Sequence, residues 1–214
     1  MEDIQYNNLE FIVLGAGGLA REITSWNNLS NNKINIIGYM DDFYKEGQAN
    51  SNSLNVLGKI EYDNFSEQTK VICAIANCSK KEDLLIQSEK HCFRFQDYIH
   101  STCLIGARTL YGKGIVMMPY SLISCDAIIG DLVFINNGSQ IGHDVVIGNC
   151  TSIMANVDIG GSAQIGRNVF IGSNAVILPG VKIPDNTVVG AGSVIIRSIK
   201  QPGTYFGNPA KKIF

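Results

Sequence analysis

The chain has 214 residues, of which 45% are hydrophobic and 17% are charged, so it can bury the core of one large domain or two small ones. Its formal net charge of −2 excludes a nucleic-acid partner, because no basic stripe is present to follow a phosphate backbone. The same charge argues against binding to a membrane surface, and no apolar run is long enough to span a bilayer.

The amino terminus and the cysteines indicate a cytoplasmic protein. The first residues, MEDIQYNN, are acidic and polar and do not form a secretory signal peptide. The six cysteines include no CxxC pair and no short metal-ligand spacing, so we expect free thiols in a reducing compartment. We therefore expect cytoplasmic localisation and no bound metal.

The first hundred residues alternate between strand and helix patterns. Residues 11–29 predict a strand, a glycine turn and a helix, and the polar segment 43–58 predicts a loop. The other predicted elements are strands over 34–40, 71–76 and 91–95 and a helix over 79–88. This order predicts an α/β domain over residues 1–98, with a small Rossmann-like parallel sheet.

The glycine turn and an acidic pair are candidate substrate ligands in this domain. Gly15, Gly17 and Gly18 place backbone N–H groups at a helix N-terminus, where phosphate oxygens bind well. Asp41 and Asp42 follow the second strand, where a carboxylate can accept hydrogen bonds from ribose hydroxyls or a base. A tight turn without a ligand and a solvated acidic turn are the alternatives at these two places.

A hexapeptide repeat fills the second half of the chain. Counting in sixes from Ile105 to Ile195 gives sixteen positions, and thirteen of them are Ile. A period of six fits a short strand plus a turn, with one branched aliphatic side chain pointing inward per face. The next residue is often Gly, which we expect to give the backbone freedom to turn a corner. Three faces make a coil of eighteen residues, so residues 99–214 predict a parallel β-helix of about five coils.

The two halves together resemble the sugar acyltransferases that include bacterial nucleotide-linked amino-sugar N-acetyltransferases and sialic-acid O-acetyltransferases. The resemblance rests on LGAGGLARE (14–22), YMDDF (39–43), FINNGSQIGHD (134–144) and PGTYFGNPAKKI (202–213). It implies a left-handed β-helix that binds acetyl-CoA as co-substrate and an N-terminal domain that binds the nucleotide-sugar. It also implies a homotrimer with active sites between neighbouring subunits.

His143 is the strongest candidate for the chemistry. It is the only histidine in the repeat and matches the family's catalytic histidine. A neutral imidazole can take the proton that an amine or hydroxyl loses on attacking a thioester. Asp144 is expected to orient the imidazole, which requires a turn, because adjacent residues in a strand point to opposite faces. The alternative is a solvent-facing histidine at a β-helix edge.

The resemblance assigns three further residues. Asn136 matches an asparagine near the reacting end of the acceptor, and Gly161 and Ala191 match contacts to acetyl-CoA. Asn136 is otherwise a turn asparagine, and Gly161 a plain repeat glycine. The chain departs from the family pattern where Ser152 replaces a second histidine and Leu19 replaces a histidine of the glycine turn.

Several functions remain open on these observations. The Asp41–Asp42 pair favours an N-acetyltransferase acting on a UDP- or dTDP-linked 4-amino-4,6-dideoxyhexose, for surface polysaccharide or glycan synthesis. The alternative is an O-acetyltransferase of sialic acid or a related sugar. A β-helix metalloenzyme needs about three converging histidines, and a non-catalytic scaffold does not need the His143–Asp144 pair.

Overall fold

The computed structural model describes residues 10–30, 33–43, 55–61, 65, 69–91 and 93–214. The chain divides into two compact units, and each is described by itself. The first comprises the described residues of Met1–Ile75 and Leu84–Gln96, and the second comprises Ala76–Asp83 and Asp97–Phe214. Within the described residues, no helix is long and apolar enough to cross a membrane.

The first unit is built on a five-stranded parallel sheet. Its strands and helix are β1 (Glu10–Leu14), α1 (Gly18–Leu29), β2 (Asn35–Met40), β3 (Val56–Gly58), β4 (Lys70–Cys73) and β5 (Arg94–Phe95), and it shares α2 (Cys78–Lys90) with the second unit. The strand order is β3-β2-β1-β4-β5. This sheet confirms the α/β class predicted for the N-terminal domain.

Helix α1 packs through one face and is tied to the strand that follows it. Its buried residues are spaced as one helical stripe: Ala20, Ile23, Thr24 and Asn27. The Asn27 side chain accepts a bond from the N–H of Ile34 and donates one to its carbonyl, both at 2.9 Å. These bonds fix where the chain enters β2.

The loop predicted over 43–58 is wrong at its end, because Val56–Gly58 forms β3. Residues 44–54 of that segment lie outside the described residues. Strand β3 pairs in parallel with β2, with Tyr39 opposite Val56. A strand of three residues is too short to show an alternating pattern, and its place is set by pairing with β2 rather than by its own composition.

The second unit is a parallel β-helix whose strands recur every eighteen residues and form three faces. Face 1 contains β7 (Leu104–Ile105), β10 (Leu122–Ile123), β13 (Gln140–Ile141), β16 (Asp158–Ile159), β19 (Val176–Ile177) and β22 (Val194–Ile195). Face 2 contains β8 (Leu110–Tyr111), β11 (Ile128–Ile129), β14 (Val146–Ile147), β17 (Gln164–Ile165) and β20 (Lys182–Ile183). Face 3 contains β6 (Tyr98–Ile99), β9 (Val116–Met117), β12 (Phe134–Ile135), β15 (Ser152–Ile153), β18 (Phe170–Ile171), β21 (Val188–Val189), β23 (Thr204–Gly207) and β24 (Ala210–Lys212).

The predicted hexapeptide β-helix is confirmed, and it continues beyond the repeat at both ends. Strand β6 pairs in parallel with β9 before the repeat begins, and β23 pairs in parallel with β21 after it ends. The last strand, β24, turns back and pairs antiparallel with β23. The left-handed sense of the coil stays a prediction from the family resemblance.

Two residues in every six point into the core, where the sequence predicted one. Beside the isoleucine ladder, the position two residues before each isoleucine is also buried along the repeat from Ile115. It holds Val or Ala at many coils and Ser or Thr at others. Four of these buried hydroxyls donate to backbone carbonyls, so their hydrogen-bonding capacity is satisfied inside the core. They belong to Ser121, Ser139, Thr151 and Thr187.

The corners are made by a left-handed residue every six positions, not by the glycines after the isoleucines. All fifteen positions from 108 to 192 in steps of six have positive φ, and six of the eleven non-glycine residues there are Asn or Asp. The glycines after the isoleucines serve close stacking instead. A Cβ on Gly142 would lie 2.6 Å from the backbone nitrogen of Gly161. The expected role of these glycines in turning the chain is therefore wrong.

Residues 76–83, which lead into and begin α2, belong to the β-helix unit through side-chain bonds. Lys81 is 1% exposed, and its ammonium donates to the carbonyls of Leu132 and Thr151, both at 2.9 Å. The Ser152 hydroxyl donates to the carbonyl of Ala76 at 2.7 Å. The residue that replaces the family's second histidine is thus used in a structural bond.

Candidate active site

His143 lies at the corner where face 1 passes to face 2, between β13 and β14. Asp144 occupies the left-handed position with φ of 57°, and this turn brings its Oδ2 to 2.7 Å from Nδ1 of His143. Because a carboxylate only accepts, Nδ1 carries the hydrogen, and Nε2 of the neutral ring is a proton acceptor. The two side chains are 62% and 58% exposed, so substrates can reach them.

Cys125 and Gly161 occupy the same corner in the preceding and following coils. The N–H of Asp144 donates to the carbonyl of Cys125 at 3.1 Å, and the N–H of Ser162 donates to the carbonyl of His143 at 2.8 Å. Gly161 lies directly against the imidazole: a Cβ there would be 2.6 Å from Nε2 and 2.7 Å from Cε1. Gly161 is therefore part of the surroundings of the predicted base.

An ion pair lies on the same corner, in the two coils before Asp144. Arg108 donates from Nε and Nη2 to the two carboxylate oxygens of Asp126, at 2.6 and 2.7 Å. These bonds hold the pKa of Asp126 below its ordinary value, and a hydrogen bond from the Cys125 side chain lowers this pKa further. Sequence reasoning missed Cys125, Arg108 and Asp126, although counting back eighteen residues at a time from His143 and Asp144 finds all three.

Asn136 and Ala191 lie at a different corner, where face 3 passes to face 1. Asn136 follows β12, and its Oδ1 accepts from the N–H of Asn137 at 2.8 Å. Ala191 follows β21 and is exposed. Strand β13 separates Asn136 from His143, so one chain does not bring Asn136 or Ala191 to the imidazole.

The three glycines of the first unit differ in what the fold requires of them. Gly15 has φ of +96°, and a Cβ there would lie 2.9 Å from the carbonyl oxygen of Ala74. Gly17 is the N-cap of α1 without a side-chain cap, and Gly18 is the first helical residue. Both are exposed, and no described atom lies within 4 Å of a Cβ on either. The helix therefore begins with backbone N–H groups and open space, which suits an anion.

The acidic pair has structural bonds of its own. Asp41 accepts from the N–H of Ala16 at 2.7 Å through Oδ2 and from the N–H of Phe43 at 2.8 Å through Oδ1. Asp42 accepts from the N–H of Ile60 at 3.3 Å. Asp41 thus ties the glycine turn to the end of β2. Each carboxylate oxygen of Asp41 accepts one of these bonds and has a second lone pair with which to accept from a ligand.

A pocket in the second unit lies away from the His143 corner. Its volume is about 510 Å³, and it is lined by Ala76, Asn77, Cys78, Ser79, Asn168, Phe170, Asn186 and Val188. Asn168 and Asn186 belong to the corner between faces 2 and 3, and no predicted site residue lines the pocket. Among the residues that the structure describes, no three His, Cys, Asp or Glu side chains are grouped to hold a metal ion.

Solved structures share this fold along nearly the whole chain. The acetyltransferase domain of PglB from Neisseria gonorrhoeae FA1090 is 23% identical, with 96% of this chain and 100% of that chain covered and a TM-score of 0.88. PerB from Caulobacter crescentus, in complex with CoA and GDP-perosamine, is 24% identical, with coverage of 95% and 96% and a TM-score of 0.75. WeeI from Acinetobacter baumannii AYE is 23% identical, with coverage of 95% and 99% and a TM-score of 0.68. At these identities the likeness establishes the fold.

Family comparisons cover both units. Residues 10–87 match the PglD N-terminal domain, and residues 144–178 and 162–197 match the bacterial transferase hexapeptide family of six repeats. The comparison with curated proteins found no significant match. The two family matches confirm the resemblance seen in the sequence. The chain therefore matches the PglD N-terminal domain in its first half and the hexapeptide repeats of bacterial transferases in its second.

Proposed function

We propose that the protein is an acetyl-CoA-dependent N-acetyltransferase acting on a nucleotide-linked 4-amino-4,6-dideoxyhexose. The observation that carries the proposal is the exposed His143–Asp144 pair, bonded at 2.7 Å through Nδ1 so that Nε2 can accept a proton. The structures that share the fold support the two substrates. PglB was solved with acetyl coenzyme A, and PerB with CoA and GDP-perosamine.

The proposed transfer is direct. Nε2 of His143 takes the proton of the sugar amine as the amine nitrogen attacks the thioester carbon. Asp144 stabilises the imidazolium through Nδ1, and the carbon–sulfur bond breaks to release the CoA thiolate, which is then protonated. An acyl-enzyme is unnecessary, because an amine is a competent nucleophile once it is held against the thioester.

The substrates are assigned to the two units separately. In the first, Gly17 and Gly18 offer backbone N–H groups to the phosphates of the nucleotide-sugar, and Asp41 and Asp42 offer acceptor oxygens to its nucleoside. In the second, acetyl-CoA lies along the outside of the β-helix near residues 155–192, with its thioester close to Gly161. Ala191 and Asn136 require another copy of the chain if they are to serve the same site as His143.

An exposed aliphatic row supports the proposed homotrimer. Leu110, Ile128 and Val146 pair in register on the outside of face 2 and are 66%, 52% and 39% exposed. The row borders the corner that carries His143. Contiguous apolar surface of this kind marks a protein interface. A second copy seated there would bring its own residues next to the imidazole.

The proposal is tested by assaying thiol release from acetyl-CoA with UDP-, dTDP- and GDP-linked 4-amino-4,6-dideoxyhexoses as acceptors. We expect at least one amino sugar to be acetylated on nitrogen. Free sialic acid is the parallel acceptor. Transfer to sialic acid alone would replace this proposal with the O-acetyltransferase reading.

The role of His143 is tested by substitution. General-base catalysis is worth about 10²–10⁴-fold, so His143→Ala should lower kcat by that order with little change in either KM. Cys125→Ala and Cys150→Ala are the controls, since Cys125 lies at the same corner as His143 in the preceding coil and Cys150 lies at the next corner, between β14 and β15. Full activity of His143→Ala, together with loss of activity in one of the cysteine variants, would indicate a covalent acyl-enzyme route.

A further inference from the structure

We infer that Gly161 is a positioning residue for His143, and that its missing side chain leaves the seat in which the imidazole rests. The three atoms nearest to a Cβ on Gly161 all belong to the His143 ring: Nε2 at 2.6 Å, Cε1 at 2.7 Å and Cδ2 at 3.1 Å. Real Cβ atoms do not approach neighbours this closely. Any side chain at position 161 must therefore displace the ring.

Among the described residues, the three atoms nearest to a Cβ at this position all belong to the imidazole. Gly161 has no positive φ, whereas Gly15 does. A Cβ on Gly142 would be crowded by the backbone of Gly161, and one on Gly160 by the nitrogen and ring of Pro179. Those two glycines are needed for the coils to stack. At Gly161 the space is filled by an exposed side chain instead.

The seat gives the ring a second point of restraint. Asp144 holds Nδ1 from within the same turn, at 2.7 Å. A Cβ on Gly161 would lie over one face of the ring, nearest to Nε2 and Cε1. The proton-accepting nitrogen is therefore set beside the following coil.

The kinetic part of the test rests on the proposed function. With Gly161→Ala, the Cβ–Nε2 separation must grow from 2.6 Å to an ordinary contact of at least 3.4 Å, so the ring moves by about 0.8 Å. A misplacement of about 1 Å can cost roughly 10²-fold in rate. We expect kcat to fall by that order while the dissociation constant for acetyl-CoA stays unchanged. Ser162→Ala, at the neighbouring exposed position, is the control and should keep full activity.

A double-mutant cycle separates positioning from direct contact with the co-substrate. If Gly161 acts through the ring, Gly161→Ala should cause no further loss of kcat in a His143→Ala background. An equal weakening of acetyl-CoA binding in both backgrounds would instead assign Gly161 to the thioester and overturn the inference.

A spectroscopic measurement tests the seat without any reaction. The Cε1–H resonance of His143, assigned by its loss in His143→Ala, should shift in Gly161→Ala and stay in place in Ser162→Ala. An unmoved resonance in Gly161→Ala would contradict the inference that Gly161 sets the position of the imidazole. If His143→Ala proves fully active, the proposed base fails, and this resonance still decides whether Gly161 holds the ring.

Discussion

Gly15, Gly142 and Gly161 are glycines for three different physical reasons. Gly15 needs its positive φ, Gly142 makes room for the backbone of the next coil, and Gly161 makes room for an imidazole. Gly18 meets none of these needs, since its φ is ordinary and its Cβ position is open among the described residues. Glycine also disfavours the helix that it begins. Its presence there is explained if a ligand approaches the backbone closely.

We predict that Gly18→Ala separates binding from stability. Alanine favours a helix over glycine by about 1 kcal/mol in the interior and by less at the end, so Tm should hold or rise slightly. The added methyl should occupy the space of a phosphate and raise KM for the nucleotide-sugar, with KM for acetyl-CoA unchanged. The measurements are thermal unfolding and steady-state kinetics.

Gly15→Ala is the matched substitution in the same turn. It should lower Tm, because its Cβ would lie 2.9 Å from the Ala74 carbonyl and its φ is +96°. An unchanged KM for the nucleotide-sugar in Gly18→Ala would show that its phosphates do not bind at the start of α1.

At the scale of elements, Asp97 closes the first coil of the β-helix. Its Oδ1 accepts from the N–H groups of Gly114 at 2.7 Å and Ile115 at 3.1 Å. Burial raises the pKa of this carboxyl, against the opposing effect of the two backbone bonds. The fold therefore disfavours the charged form, and stability is lost as pH rises from the ordinary pKa through the raised one.

We predict that Asp97→Asn stabilises the protein at pH 7. The amide oxygen can accept the same two N–H groups without a buried charge, so Tm should rise. The advantage over the native chain should shrink as pH falls from the raised pKa of Asp97 to the ordinary carboxyl value of about 3.9, below which Asp97 is neutral in both states. Thermal unfolding followed across this range checks the sign.

Asp97→Ala, which removes the acceptor, should lower Tm at every pH. A Tm deficit of Asp97→Asn at pH 7 that disappears as the carboxyl becomes protonated at low pH would show that the carboxylate charge itself stabilises the coil.

The β-helix elements could be predicted from one ladder of residues but not from the other. The isoleucines recur without interruption, so their period shows in the sequence. The second inward position mixes Val133, Ala163 and Ser139, which share small size rather than hydrophobicity. The left-handed corners were missed for a similar reason, since Arg108 and Leu132 take the same φ region as the asparagines. The stacking of coils, and not the residue type, imposes that conformation.

At the scale of the molecule, the candidate site could be predicted only where a local motif carries it. The His143–Asp144 contact lies within one turn, and the motif includes both residues. Asn136 is only seven residues from His143, yet a whole strand separates the two corners. Gly161 shares the corner because it is eighteen residues away. In this fold, residues share a corner when they are eighteen residues apart along the chain. A short local motif does not include residues at that spacing.

We predict that Ile128→Glu separates the subunits. A charge in the middle of the exposed row on face 2 opposes burial against another copy. Light scattering should give about 70 kDa for the native chain, three times 23.3 kDa, and 23.3 kDa for the variant. Gln164→Glu, farther along the same face and exposed, is the control. If the native chain is a monomer at micromolar concentration, an active site formed by residues of two copies is excluded.

The antiparallel turn of β24 has a consequence for how the molecule behaves in concentrated solution. The N–H and C=O groups that let each coil receive the next one would also receive a strand from a foreign chain. On face 3 the chain fills that place with its own last strand, which carries the exposed Lys211 and Lys212. These charged side chains on the end strand of the sheet should disfavour the addition of a foreign strand along this face.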